Sequence, residues 1–181
     1  MIIRTQCKKY GESSMTTLAF DGRYAAADGR ATCGNTITGK QAKKLFLIEG
    51  KLGGEDAQFL YMGAGSWSMV QLVKKWLSEG GDILSSDPEQ AFPQIEPESM
   101  EGIIITRDGE VYELESTMVA LPSEVPTAGG SGFPFAITAM NLGQNAVQAV
   151  YTAMEMDIGS GGKVTAFDIE KWEFIEPGDV R

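Results

Sequence analysis

The chain has 181 residues, a formal net charge of −10 and a pI near 4.5. Nucleic-acid recognition needs clustered Lys and Arg, so this acidity argues against a nucleic-acid partner. The sequence contains no histidine, which excludes both Ser-His-Asp and Cys-His catalysis. Its composition, 43% hydrophobic and 22% charged, is that of an ordinary globular domain.

Residues 1–15 include basic side chains but no apolar run that resembles a signal peptide. No stretch of the chain is long enough and apolar enough to cross a bilayer, so we expect a cytoplasmic protein without a membrane partner. The two cysteines do not have the spacing of zinc ligands, and a structural zinc is not expected.

The first predicted strands form a hairpin that follows a pair of threonines, Thr16 and Thr17. Residues 17–20 and 24–27 favour strands, and the Asp21-Gly22 pair between them is typical of a tight turn. Without histidine, a threonine hydroxyl can be activated by its own α-amino group, provided that the threonine begins the working chain. Thr16 follows a methionine and is therefore the candidate nucleophile.

Residues 1–15 would block that amine, and three interpretations remain open. They are a propeptide removed by self-cleavage, an extension that keeps the protein inactive, or the result of a start codon assigned too far upstream. We favour the third, because a methionine before a small residue such as threonine is commonly removed. The predicted organisation is an N-terminal extension, 1–15, and one domain, 16–181.

The rest of the chain alternates strand and helix signals. Further strands are predicted at short apolar runs, at 45–48, 57–62, 102–106, 110–114, 163–167 and 172–175. Helices are predicted where apolar residues recur at helical spacing, from Ser66 or Ser68 to Glu79, at 133–142 and at 146–157. Loops are predicted at 30–38 and at 80–98, the second because of its prolines and acidic residues. This order suggests two stacked antiparallel sheets covered by helices on both outer sides.

Four motifs in order carry a family resemblance. They are TTLAFDGRYAAADGRATCGNTITGKQAKK at 16–44, GAGS at 63–66, GSG at 130–132 and DIGSGG at 157–162. Together they resemble proteasome β-subunits and the related bacterial peptidase HslV, over nearly the whole chain after Met15. The first hairpin is several residues shorter than in HslV. The resemblance implies an α+β fold, the four-layer αββα sandwich of N-terminal nucleophile hydrolases.

The resemblance also implies roles for individual residues. Thr16 would be the nucleophile, Lys44 would tune its amine, and Asp28 would hold Lys44, whereas Lys43 would point away. The amide of Gly65 would form the oxyanion hole, and Ser131, Asp157 and Ser160 would orient the amine and a water. Without the resemblance, these would read as a turn aspartate, a solvated lysine and loop serines.

The substrate would lie along the loop at 30–38, which could pair with an extended peptide. An apolar specificity pocket is expected from residues that match the family's pocket, namely Ala31, Thr32, Ala42, Phe46, Gly63 and Trp67. Backbone carbonyls around Met154, Asp157 and Ser160 could hold a structural monovalent or divalent cation, as in some relatives. No cofactor is required for the chemistry.

The resemblance therefore implies a threonine peptidase that acts on unfolded polypeptides inside a homo-oligomeric ring, with an ATP-driven AAA+ unfoldase as a candidate partner. Two alternatives remain open from the sequence. One is a catalytically silent, ring-forming subunit whose N-terminus stays blocked. The other is an amidase of the same fold that acts on small amides.

Overall fold

The computed structural model describes residues 15–87, 92, 100–115 and 118–180. In chain order the strands are β1 (Leu18–Phe20), β2 (Tyr24–Ala27), β3 (Ala31–Cys33), β4 (Thr36–Gly39), β5 (Leu45–Leu52), β6 (Glu55–Gly65), β7 (Met100–Thr106), β8 (Val111–Leu114), β9 (Ala120–Ser123), β10 (Thr127–Gly129), β11 (Thr165–Asp168) and β12 (Glu173–Ile175). The helices are α1 (Trp67–Ser78), α2 (Phe133–Asn141) and α3 (Ala146–Met156), followed by a 3-10 turn at Pro177–Asp179. Within these ranges, no helix has the length and apolar character that a membrane span requires.

The strands form two five-stranded antiparallel sheets and a separate hairpin. The first sheet has the order β10-β1-β2-β11-β12, the second has the order β5-β6-β7-β8-β9, and β3 pairs only with β4. Alternation along β1 decides which layer each side chain enters. Leu18 and Phe20 point into the core between the sheets, whereas Ala19 points into a second core beneath α2 and α3.

Three buried clusters hold the elements together. Between the sheets, branched and aromatic side chains such as Phe20, Leu60 and Ile103 pack against one another. Between the first sheet and the α2–α3 pair, the buried residues are mainly alanine and valine. On the far side of the second sheet, α1 buries Val70 and Val73 against aromatic residues of β5 and β6.

Most of the predicted elements are confirmed. The hairpin at Asp21-Gly22 and the hairpin at Asp108-Gly109 both form, and the ends of the three helices lie within two residues of the predicted ones. Ser66 occupies the N-cap position of α1, but its hydroxyl bonds to the Ser68 hydroxyl (2.9 Å) and does not cap the helix.

Three predictions of local structure need correction. The predicted loop at 30–38 contains the β3–β4 hairpin, because residues on both sides of Gly34 pair with each other. Strands β5 and β6 extend well beyond the predicted apolar runs, since their ladder continues to a turn at Gly53-Gly54. Strands β9 and β10 were not predicted. Of the predicted loop at 80–98, the structure describes 80–87 and 92, and the remainder lies outside the described residues, as do residues 1–14.

Asp21 fixes the first hairpin to the helix layer. One carboxylate oxygen accepts hydrogen bonds from the amides of Arg23 (2.8 Å) and Tyr24 (2.7 Å). The other accepts from the amide of Ala146 (2.7 Å), the first residue of α3. A negative charge at this position also interacts favourably with the N-terminal end of the helix dipole. The turn and the start of α3 are therefore held by one side chain.

Replacing Asp21 with alanine should destabilise the fold, because three backbone N–H groups lose their acceptor. We expect the free energy of unfolding to fall by about 2 kcal/mol, measured as a lower urea midpoint. The matched control is Asp108→Ala at the other Asp-Gly turn, where the described residues provide no hydrogen bond to the exposed carboxylate. We expect that control to change stability by less than about 0.5 kcal/mol, and equal losses in the two variants would contradict this role of Asp21.

Candidate active site

Thr16 lies two residues before the first residue of β1 and is 4% exposed. Its carbonyl accepts a hydrogen bond from the amide of Gly132 (3.0 Å), which brings the GSG loop against the start of the strand. Gly130 has a φ of +82°, and a side chain there would overlap the Thr16 carbonyl. The glycines of this loop therefore allow it to approach Thr16 closely.

Ser131 connects Thr16 to Asp157. The Thr16 amide donates to Ser131 Oγ (3.1 Å), and Ser131 Oγ donates to Asp157 Oδ2 (2.6 Å). Because the serine has one hydroxyl hydrogen, the short bond to the carboxylate leaves Ser131 Oγ as the acceptor toward Thr16. The nitrogen of Thr16 is thus linked through one hydroxyl to a carboxylate.

Ser160 forms a second branch that ends at the same carboxylate. Ser160 Oγ donates to Asp157 Oδ2 (2.6 Å) and lies 2.6 Å from the hydroxyl oxygen of Thr17. Since the serine hydrogen is directed to Asp157, Thr17 is the donor in the second contact. The structure thereby brings together Thr16, Ser131, Asp157 and Ser160, and it adds Thr17 to the network.

Asp28 and Lys44 form a buried ion pair at the end of β2. Lys44 Nζ donates to Asp28 Oδ1 (2.8 Å), and both side chains are almost completely removed from solvent. The same oxygen accepts from the Thr17 amide (2.9 Å). Lys43 points away, as expected, and places its ammonium 4.8 Å from the ring centre of Phe174.

Lys44 also reaches the peptide bond that precedes Thr16. Its Nζ lies 3.4 Å from the carbonyl oxygen of Met15, and the Thr16 hydroxyl donates to that same oxygen (2.7 Å). The hydroxyl and the ammonium therefore share one acceptor. Burial lowers the pKa of Lys44, an effect that Asp28 opposes and that the nearby Arg30 cation reinforces.

The pKa of Asp157 is set by opposing effects. Partial burial alone would raise it, but the hydroxyls of Ser131 and Ser160, the Gly159 amide and the Arg30 cation together hold the pKa below its usual value. Asp157 is therefore an anion at neutral pH. Its Oδ2 atom accepts hydrogen bonds from the hydroxyls of both Ser131 and Ser160.

Sequence reasoning missed the roles of Arg30 and Gly161. The Arg30 guanidinium donates to the carbonyl of Ile158 (2.7 Å), and the Gly161 amide donates to Asp28 Oδ2 (2.8 Å). A side chain on Gly161 would overlap the guanidinium of Arg30. The signal was present in the glycine pair of DIGSGG, because such a pair commonly marks a close approach of two chain segments.

Gly65 ends β6 with a φ of +100°, a backbone conformation that favours glycine. Strand β6 packs behind β1 in the core between the sheets. The assignment of the Gly65 amide to an oxyanion hole remains a prediction.

The residues predicted to bind substrate occupy different environments. Ala31 and Thr32 lie half-buried in β3, and Thr32 donates to the sulfur of Met15 (2.9 Å). The Ala42 amide donates to the Gly29 carbonyl (2.9 Å). Phe46 is 5% exposed and stacks on Tyr61 beneath α1, where Gly63 is also buried, whereas Trp67 is 40% exposed. The structure therefore places Phe46 and Gly63 in packed core, and the pocket remains a prediction.

Met154, Asp157 and Ser160, whose carbonyls were considered for a cation, lie together at the end of α3. The Asp157 carbonyl accepts from the Ser160 amide (3.1 Å). Among the described residues, no group of three or more Cys, Asp or Glu side chains has the arrangement of a metal site. Such a cation would therefore depend on backbone oxygens.

Comparisons with known proteins agree with the family suggested by the motifs. The chain is 27% identical over 173 residues to the proteasome subunit beta of Methanosphaera stadtmanae, covering 81% of this chain and 82% of the relative. It is 25% identical over 191 residues to the proteasome subunit beta of Ferroglobus placidus, covering 92% and 90%. No family model matches the chain.

A solved structure described as Thiobacillus denitrificans BPH has a TM-score of 0.60 with 16% identity, covering 84% of this chain and 96% of that one. At this identity the likeness shows a shared fold only. The two archaeal matches support the proteasome β family at a distant level. That relationship implies the N-terminal nucleophile hydrolase fold, with which the two sheets and three helices are compatible.

The lowered pKa of Asp157 predicts a contribution to stability that depends on pH. The folded state binds fewer protons than the unfolded state, so this contribution is present above the unfolded pKa of about 3.9 and is lost as pH falls through the lower folded value. Asp157→Asn should lack it. We expect the difference in unfolding free energy between the parent and this variant to be constant above about pH 5 and to shrink in more acidic buffer.

Urea unfolding at several pH values from 3 to 7 measures this difference. Because Asp157 is partly exposed, solvent screening reduces its size. The exposed carboxylate of Asp179 provides a control through Asp179→Asn. A difference for Asp157→Asn that does not vary with pH would contradict the prediction.

Proposed function

We propose that the chain is a threonine-type endopeptidase of the proteasome β and HslV kind, with Thr16 as its N-terminal nucleophile. The observation that carries the proposal is the arrangement around Thr16. Its nitrogen is linked through Ser131 to the anionic Asp157, and its hydroxyl shares an acceptor with the ammonium of Lys44. A carboxylate therefore lies on the nitrogen side of Thr16, and an ammonium lies on the side of its hydroxyl.

The working chain would begin at Thr16. In the described chain the Thr16 nitrogen belongs to a peptide bond and is not basic. Removal of the preceding residues would convert it into an amine at the same place, held by Ser131. The released hydroxyl and Lys44 would no longer have the Met15 carbonyl as their shared acceptor. Residues 1–15 are therefore proposed to be absent from the active protein.

The reaction would proceed in two stages. First, the Thr16 hydroxyl attacks the substrate carbonyl while its proton passes to the Thr16 amine, directly or through a water. The Gly65 amide would stabilise the tetrahedral oxyanion, and the amine would return the proton to the leaving nitrogen. Water then hydrolyses the resulting ester, with the same amine as the base. This chemistry requires no cofactor.

Lys44 would keep the amine in its basic, unprotonated form. A cation lowers the pKa of a neighbouring amine because two positive charges in close proximity repel each other. Asp28 holds the Lys44 ammonium in place through the 2.8 Å contact. Ser131, Asp157 and Ser160 would orient the amine and the attacking water.

The three buried clusters support an αββα arrangement, with helices on both sides of two stacked sheets. By analogy with the relatives, we propose a homo-oligomeric ring in the cytoplasm that degrades unfolded polypeptides with the help of an AAA+ unfoldase. Substrate would pair with β3 and enter a pocket formed around Trp67. A structural cation near Asp157 belongs to the same proposal.

A catalytically silent, ring-forming subunit is the second candidate. The observation in its favour is the Met15 carbonyl, which engages both the Thr16 hydroxyl and Lys44. A chain that kept this peptide bond would have no free amine. An amidase of the same fold would use the same nucleophile, and a panel of fluorogenic peptides and small amides separates it from a peptidase.

Thr16→Ala should abolish peptide cleavage, because it removes the attacking oxygen and leaves the backbone in place. We expect the rate to fall by about 10³-fold or more relative to the parent chain, measured with fluorogenic peptides. Thr152→Ala, which removes a hydroxyl from α3, is the control and should retain normal turnover. Cleavage by Thr16→Ala at an appreciable fraction of the parent rate would refute the nucleophile assignment.

Activity should also depend on where the chain begins. A fusion that is processed to expose Thr16 as the first residue should cleave peptides without a lag. The 181-residue chain should be active only in proportion to the molecules whose N-terminal sequence starts at Thr16, as read by intact mass and Edman sequencing. Full activity in a preparation that begins entirely at Met1 would show that the mechanism is wrong.

A further inference from the structure

We propose that Glu101 is a positioning residue for the loop that carries Ser131. The inference rests on the proposed function, since Ser131 matters there as the partner of the Thr16 nitrogen. Glu101 belongs to none of the four motifs that carry the family resemblance. Its contact with the loop comes from the opposite sheet.

The contact is a hydrogen bond between the Gly130 amide and Glu101 Oε2, 2.8 Å long. Gly130 has a positive φ of +82° and lies so close to Thr16 that no side chain would fit. The Gly130 carbonyl accepts a hydrogen bond from the Phe133 amide (3.1 Å), and the Gly130 amide is held by Glu101. The Glu101 carboxylate supplies the acceptor for the amide of the residue that directly precedes Ser131.

The position of Glu101 gives this bond a second consequence. Glu101 lies on β7 directly opposite Ala64 of β6, and the next pair in the ladder is Met100 with Gly65. The same strand pair therefore carries the proposed oxyanion-hole glycine and the carboxylate that holds the Ser131 loop. Glu101 therefore fixes the position of the Ser131 loop relative to Gly65, because both Glu101 and Gly65 belong to the β6–β7 ladder.

Loss of this acceptor should affect the chemical step more than substrate binding. Ser131 Oγ must lie within hydrogen-bond distance of both the Thr16 nitrogen and Asp157, and a small shift of the loop would lengthen both contacts. Glu101 itself is exposed, so its bond contributes little to overall stability. Its effect is on the geometry around Thr16.

Two neighbouring carboxylates help to separate this role from a general effect of charge. Glu101, Glu113 and Glu115 line the same cavity of about 410 Å³ between the sheets. Glu113 accepts hydrogen bonds from the hydroxyls of Ser123 and Thr127, both 2.6 Å. Glu115 is exposed and is engaged in no side-chain hydrogen bond within the described ranges. Glu115→Ala is therefore the matched control.

The experiment compares Glu101→Ala, Glu101→Gln and Glu115→Ala in chains that begin at Thr16. We expect Glu101→Ala to lower kcat about tenfold with KM changed less than about twofold, because the reacting groups are displaced. Glu101→Gln keeps a side-chain oxygen that can accept from the Gly130 amide, so we expect its kcat to recover to within about threefold of the parent. Glu115→Ala should match the parent in both constants.

A second readout does not depend on turnover. Hydrogen–deuterium exchange of the peptide that contains Gly130 should be about tenfold faster in Glu101→Ala than in the parent or in Glu115→Ala, since the amide has lost its acceptor. Melting temperatures of the three variants should agree to within about 3 °C.

Several outcomes would overturn the inference. They are equal kcat in Glu101→Ala and Glu115→Ala, a loss in Glu101→Gln as large as that in Glu101→Ala, or an effect on KM alone. Unchanged exchange at Gly130 in Glu101→Ala would overturn it as well. If the parent chain shows no turnover that depends on Thr16, the proposed function fails, and the exchange measurement still decides whether Glu101 holds the loop.

Discussion

The rest of the site depends on the hydrogen bonds that the Asp28 carboxylate accepts. It is 1% exposed and accepts four hydrogen bonds, from the amides of Thr17, Arg30 and Gly161 and from Lys44 Nζ. A buried charge is tolerated only when it is paired and its oxygens are satisfied. The Asp28 carboxylate therefore holds three other segments of the chain against its own, at Thr17, Lys44 and Gly161.

Two charged side chains, Asp157 and Lys44, determine the electrostatic environment of Thr16. Through Ser131, its nitrogen is connected to a carboxylate that stays ionised at neutral pH. Its hydroxyl shares an acceptor with the Lys44 ammonium, whose pKa is lowered by burial. The Met15 carbonyl presently accepts from both the hydroxyl and the ammonium. In the mechanism proposed above, removal of Met15 would take away this shared acceptor and leave the hydroxyl and the ammonium in place.

The parts of the fold that sequence predicted are those determined by local chemistry. Asp-Gly pairs predicted both hairpins, and helical spacing predicted α2 and α3, because each signal acts within a few residues. The β3–β4 hairpin was missed since its strands have no apolar alternation, and β9 and β10 were missed because they are too short to show a period. Strand β10 is also stabilised by pairing with β1, more than 100 residues earlier in the chain, and such a contact is not visible in a local window.

Apart from Thr16, which the absence of histidine already suggested, the candidate site was predictable only through the family motifs. Taken alone, Asp28 follows the pattern of a turn residue and Ser131 that of a loop serine, because each acquires its partner from a remote segment. The contact between Glu101 and Gly130 joins two sheets and leaves no trace in residue spacing. Arg30 could have been noticed beside Asp28, but its partner Ile158 lies 128 residues away along the chain.

The alanine-rich layer beneath α2 and α3 restricts which substitutions the protein can accept. Most of its buried side chains, among them Ala19, Ala26 and Ala149, are single methyl groups, which allow the helices to pack close to the sheet. Growth at these positions would push the helices outward, whereas the larger residues between the sheets can exchange volume with one another. Because α3 leads directly into the segment that bears Asp157, a bulkier residue in this layer would also displace Asp157 and its serine partners. Substitutions should therefore accumulate more readily in the core between the two sheets than in the layer beneath α2 and α3.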